Sequence, residues 1–180
     1  MDATRNPGDA LYSNYKFLQG WFIEPGTITF DEFAREFFMA SGGYWKHLLS
    51  WWEVRERPDV MLIAFEHMKQ DLTGIIRKVA EFIDIELDED LLALAEEHAS
   101  FTFMERHKDR FDDLMMRDLG ERVANLPTGS DSAKIRKGIV GEHKRTQSPE
   151  VIAELDAIWQ KEITPVTGHS DYASLIADLD

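Results

Sequence analysis

A mostly α-helical domain with one or two strands is the fold this sequence predicts, and three observations carry that expectation. Leu72, Ile75, Ile76, Val79, Phe82 and Ile83 make the strongest helical stripe in the chain, apolar at steps of three and four. Two further stretches open with helix-start signals: Thr29 with Glu32 has capping-box spacing, and Ser148-Pro149 is a cap followed by a first-position proline. Residues 60–65, Val-Met-Leu-Ile-Ala-Phe, form a short continuous apolar run between Pro58-Asp59 and Glu66. That is the pattern of a strand buried on both faces, as in a parallel sheet.

Taken in order, the first predicted helix follows Thr29, places Phe30, Phe33, Phe37 and Phe38 at helical intervals, and ends before Gly42-Gly43. A second runs over 44–56, burying Trp45, Leu48, Leu49 and Trp52, and Pro58 marks its end. The strand at 60–65 comes next, then the stripe at 72–83. Asp88 reads as the N-cap of a helix carrying Leu91, Leu92 and Ala95. The last long helix follows Ser148 and presents Val151, Ile152, Leu155, Ile158 and Trp159. The count is about six helices and one firm strand, and one strand cannot make a sheet.

Composition narrows the function classes. The chain has 180 residues, 43% of them apolar and 11% aromatic, which suits one folded domain with a hydrophobic core. Its net charge of -14 argues against nucleic acid or an anionic membrane as the main partner. There is no apolar stretch of membrane-spanning length and no signal-peptide pattern at the start. The absence of cysteine excludes disulfides and fits a reducing, cytoplasmic setting. Metal-ligand spacings such as HExxH are missing, so no metal is expected.

The acidity is uneven. Between 134 and 145, Lys134, Arg136, Lys137, Lys144 and Arg145 stand against Glu142 alone, interleaved with Gly138 and Gly141. Basic residues spaced by glycines let side chains and backbone amides approach one anion together. A solvated surface loop that offsets acidic neighbours is the plainer reading of the same residues. Arg5-Asn6-Pro7-Gly8-Asp9 opens the chain, with Ser13 eight residues after the arginine. A guanidinium fork and a hydroxyl near a helix start are both suited to phosphate, although an ordinary capping turn with Asp9 as N-cap fits the same residues.

Four motifs, in one order along the chain, resemble the cytosolic-type sulfotransferases, whose donor is 3'-phosphoadenylyl sulfate (PAPS). They are Arg5-Asn6-Pro7-Gly8-Asp9 with Ser13; the aromatic Phe30–Trp52 region with Gly-x-Tyr-Trp-x-His; Phe65-Glu66-His67-Met68-Lys69; and Ser100-Phe101 with Met104, followed by Arg136-Lys137-Gly138 with Gly141. The resemblance implies an α/β fold, the P-loop-type sulfotransferase fold with a parallel sheet flanked by helices. It implies that Arg5, Ser13, Arg136, Lys137 and Gly138 hold the donor's 3'-phosphate, and that Phe65, Ser100, Phe101 and Met104 hold the adenine. The aromatic region then reads as core and acceptor wall, with His47 structural rather than catalytic. Phe65 stands where the family has tyrosine, so stacking survives while a hydroxyl hydrogen bond is lost. His143 stands where the family usually reads tryptophan, and the adjoining dimerisation motif is degraded, so a homodimer is allowed rather than implied.

The family also needs a Pro-Lys-Ser-Gly-Thr-type loop for the 5'-phosphosulfate and an upstream histidine as general base, and neither motif is in this sequence. No apolar strand is legible before Arg5, where Met1-Asp-Ala-Thr4 stands. The expectation is therefore residues 1–180 as the C-terminal portion of a single sulfotransferase domain, truncated, with no catalytic residue assignable and no transfer by itself. The reaction implied is sulfuryl transfer from PAPS to a hydroxyl or amine of a small acceptor, leaving adenosine 3',5'-bisphosphate. A non-catalytic module derived from the same fold, sensing a nucleotide or binding a protein, is the alternative.

Overall fold

Asp2–Thr4 forms a strand, β1, that pairs in parallel with β2, Leu62–Ala64; Asp2, Ala3 and Thr4 lie opposite Leu62, Ile63 and Ala64. The computed structural model describes all residues except 25, 130–134, 136, 137 and 180. β1 corrects the expectation that no strand precedes Arg5. Asp-Ala-Thr carries no apolar run of its own, and the strand exists because the fully buried Leu62-Ile63-Ala64 offers it a ladder. The predicted strand is in turn shorter than 60–65, because Phe65 already opens a helix. The two strands end side by side, with Arg5 after one and Phe65 after the other.

Helix α1 (Pro7–Trp21) starts at Asn6, whose side chain accepts from the amides of Gly8 and Asp9, while Pro7 takes the first helical position, where no amide is needed. Asn6, and not Asp9, is thus the cap. Helix α2 (Phe30–Phe33) has both halves of the Thr29–Glu32 capping box and widens into a π-helical stretch over Ala34–Met39. Helix α3 (Gly43–Trp52) stops four residues short of the predicted end. After β2 come α4 (Phe65–Gln70), α5 (Leu72–Phe82), α6 (Glu89–Ala99), α7 (Phe101–Arg106) and α8 (Leu114–Val123). Asp71, Asp88, Ser100 and Asp113 cap the last four of these with their side chains. Helix α9 (Pro149–Ile158) has the predicted Ser148 cap and continues as a π-helical stretch over Trp159–Ile163; α10 (Thr164–Thr167) and α11 (Tyr172–Ile176) follow.

The core sits behind the strands. Leu11 and Tyr15 of α1, Phe33 of α2, Trp45, Leu48 and Trp52 of α3, Leu62 of β2, and Val151 and Leu155 of α9 pack with Trp159, Ile163, Tyr172 and Leu175. The α5 stripe is less deeply set than its periodicity suggests: Ile75 is buried, but Ile83 at its end is about half exposed. One polar link crosses the core. The buried Glu66 carboxylate accepts the Asn6 amide at 3.1 Å and the Tyr172 hydroxyl at 2.7 Å. Desolvation, reinforced by the Glu66 charge, holds the Tyr172 hydroxyl well above the usual tyrosine range, so it remains a donor. Among the described residues no helix is long and apolar enough to cross a membrane.

Candidate functional site

A cleft of about 430 Å³ opens at the carboxyl ends of β1 and β2, where ligands of open α/β sheets generally sit. Seven of the nine residues singled out from the sequence line it: Arg5, Ser13, Phe65, Ser100, Phe101, Met104 and Gly138. They come from five separate places in the chain, and the topology alone brings them together. Arg136 and Lys137 lie outside the described residues. Lys144 and Arg145, in a short 3-10 helix at Glu142–Arg145, are exposed and do not line the cleft.

Arg5 leaves β1 with its direction fixed from three sides. The Tyr44 hydroxyl donates to its carbonyl at 2.6 Å, its Nη2 donates to the Ile139 carbonyl at 3.0 Å, and its guanidinium carbon stands 4.5 Å from the centre of the Phe65 ring. Its Nε is buried and makes no hydrogen bond among the described residues. A buried, unmet cationic donor is costly, by about 1–3 kcal/mol or more, and is relieved when an anion meets it. Arg5 also lines the cleft, and a guanidinium there suits an anion.

The opposite wall is built from α7. The Ser100 hydroxyl accepts the Phe103 amide at 3.1 Å, which starts the helix and sets Phe101 in its first turn. Gly138, at φ +58°, lies against that ring: a Cβ there would stand 2.7 Å from Phe101 Cδ2, so only glycine allows this approach. Lys69 Nζ lies 5.5 Å from the centre of the Phe101 ring. Two aromatic faces, each with a cation above it, thus border one cleft.

The glycine-rich segment does something else as well. The amides of Gly141 and His143 donate to the Asp9 carboxylate at 2.6 and 3.1 Å, and His143 Nδ1 lies 2.7 Å from Asp9 Oδ1. Sequence reasoning gave such amides to an external anion; at 141 and 143 the anion they hold is a side chain of α1. Burial would raise the Asp9 carboxyl, but the His143 ring and the two amides outweigh it and bring it down to about 2. An ionised Asp9 accepts only, so the proton between the two groups sits on His143 Nδ1. Gln147 Nε2 donates to the Gly8 carbonyl at 2.7 Å, and a Cβ on Gly8 would stand 2.6 Å from His143 Cδ2.

Other expectations are placed more plainly. Trp45, Leu48 and Trp52 are core, as expected, but His47 is not: its side chain is about 60% exposed and pairs with Asp2 at 3.2 Å. Lys69, which lines the cleft, and the Asp9–His143 contact beside it are not among the residues singled out from the sequence. Lys69 was visible as the residue ending the Phe-Glu-His-Met-Lys run. Asp9 and His143 had no joint signal, since their meeting depends on how a loop 134 residues away docks on α1.

An α/β domain with a nucleotide-sized crevice at the ends of parallel strands is the class that the fold and cleft define. Residues 3–167 match the family model described as sulfotransferase domain, and the chain belongs to that family. Luciferin sulfotransferase of Photinus pyralis is 31% identical over 182 residues, covering 97% of this chain and 46% of the relative. Sulfotransferase 1B1 of Mus musculus is 31% identical over 170 residues, covering 91% and 53%. The chain spans about half the length of the curated relatives it matches. Among solved structures, mouse sulfotransferase SULT7A1 complexed with PAP superposes with a TM-score of 0.70 at 22% identity, covering 98% of this chain and 59% of that one. Retinol dehydratase in complex with androsterone and PAP gives 0.72 at 21% identity, covering 92% and 47%. At these identities the structures establish the shared fold.

Proposed function

We propose that this chain forms the nucleotide-holding portion of a single PAPS-dependent sulfotransferase domain, one that moves a sulfuryl group to a hydroxyl or amine of a small molecule. The supporting observation is the convergence of Arg5, Ser13, Phe65, Ser100, Phe101, Met104 and Gly138 on one cleft. Arg5, which lines the cleft, fits a phosphate, and two aromatic rings fit a purine. Relatives solved with PAP, adenosine 3',5'-bisphosphate, have this fold. In this reading Arg5 and Ser13, with Arg136 and Lys137, hold the 3'-phosphate, and Phe65 and Phe101 flank the adenine. The donor supplies the sulfuryl group when bound. This chain's residues orient its nucleotide end and keep that end anchored as negative charge grows on the leaving bisphosphate. The general base and the phosphosulfate lysine are assigned to no residue here, so the 180 residues bind without transferring. A cytoplasmic setting belongs to the same proposal.

Calorimetry with adenosine 3',5'-bisphosphate tests it. The wild-type chain binds, and Arg5→Ala weakens binding by about 1.5–3 kcal/mol, the range for a charge-assisted hydrogen bond, with melting temperature little changed. Equal affinity in the variant removes Arg5 from the site. Undetectable binding by folded wild type overturns the nucleotide reading and favours an interaction module.

A further inference from the structure

We infer that the Asp9–His143 pair is a latch that docks the 138–147 segment on the start of α1, and that His143 is thereby a positioning residue for the nucleotide cleft. The role rests on the nucleotide reading above; the docking itself does not. Three donors from the segment converge on one buried carboxylate: the amides of Gly141 and His143 and the His143 ring, at 2.6, 3.1 and 2.7 Å. Both partners are well shielded, with the Asp9 side chain fully buried and that of His143 12% exposed. A charge-assisted bond so shielded from water is stronger than one at a surface.

The latch reaches the cleft through short, stiff connections. Gly138, three residues before Gly141, lies on the Phe101 ring. Ile139, between them, accepts from Arg5. Asp9 lies four residues after Arg5, in the first turn of the helix that carries Ser13. Releasing the carboxylate would loosen the segment that spaces Phe101 from Arg5, so the phosphate and adenine sides of the cleft share this support. Gly8 gives the His143 ring its seat, since any Cβ there would strike Cδ2. The resembled motif usually carries tryptophan at 143, whose five-membered ring has carbon at both positions next to Cγ and so no N–H where the histidine has Nδ1. The ring hydrogen bond to Asp9 is thus a departure from the resembled motif.

The test uses the 180-residue chain with His143→Phe, which keeps a ring but no donor, and His143→Asn, whose amide nitrogen replaces Nδ1. Amide hydrogen exchange over 138–147 is followed beside calorimetric titration with adenosine 3',5'-bisphosphate. In His143→Phe, exchange speeds up at least tenfold over that segment and affinity falls about tenfold; His143→Asn restores both toward wild type. Exchange and titration are run well below the melting transition of both variants, which separates positioning from a general loss of stability. Unchanged exchange in His143→Phe overturns the latch, and unchanged affinity despite faster exchange overturns the positioning role. If wild type does not bind the bisphosphate, the nucleotide reading and the positioning role fall together, and the exchange data alone decide the docking.

Discussion

Asp9 shows how much one buried side chain contributes when its partners come from far along the chain. Its carboxyl is lowered from 3.8 to about 2 in the folded protein. A depressed carboxylate stabilises the fold above its unfolded value and loses that contribution as pH falls through the folded one, a window from about pH 4 down to about pH 2. The shift is worth about 2 kcal/mol. Asp9→Asn should therefore lie well below wild type in melting temperature near neutral pH, and the gap should narrow as the two are titrated from pH 4 toward pH 2. A gap that stays constant across that window would assign the loss to packing rather than to the charge. The sequence could not show this, because a lone aspartate in a first helical turn looks like any helix-start acid. Arg5 was legible for the opposite reason: its motif is local, with Ser13 eight residues on and a helix start between them.

Among the elements, α9 and β1 mark the two ends of what patterning can tell. Ser148-Pro149 followed by apolar residues at helical intervals is a complete local description, and α9 begins where it says, with Ser148 accepting the Val151 amide. Val151 and Leu155 are then buried against the core. Leu155→Ala should cost about 2–5 kcal/mol, read as a drop in denaturant midpoint with unchanged slope; a shift within about 0.5 kcal/mol would deny that face of α9 its place in the core. β1 has no such local text. Three residues pair because β2 is already buried, and tertiary context overrides weak local preference. Helices α4, α7, α10 and α11, none longer than six residues, are too short to show a full stripe and were missed for that reason. Ser100 is the one local signal for α7, a hydroxyl that accepts the amide three residues on.

Across the whole molecule, the cleft joins parts that the hydrophobic core does not. It opens beyond the ends of the strand pair and is lined by Arg5, by Ser13 of α1, by Phe65, Met68 and Lys69 of α4, by α7 and by Gly138, while the core lies to the α3 and α9 side. A ligand that spans the cleft binds only the folded chain, so adenosine 3',5'-bisphosphate at a hundred times its dissociation constant should add about 2.7 kcal/mol of stability. That appears as a rise of a few degrees in melting temperature, and adenosine lacking both phosphates should give a smaller rise. Equal rises for the two compounds would take the Arg5 side of the cleft out of the interaction.

The Glu66 link bears on this last point from an unexpected quarter. One oxygen steadies the amide next to Arg5 and the other is tied to the hydroxyl of Tyr172, in the final helix. Helix α11 is thereby wired to the start of α1. Shortening the chain at α11 would take one partner from the carboxylate beneath Arg5, so this helix acts as a keystone of the cleft although it contributes no atom to the described lining.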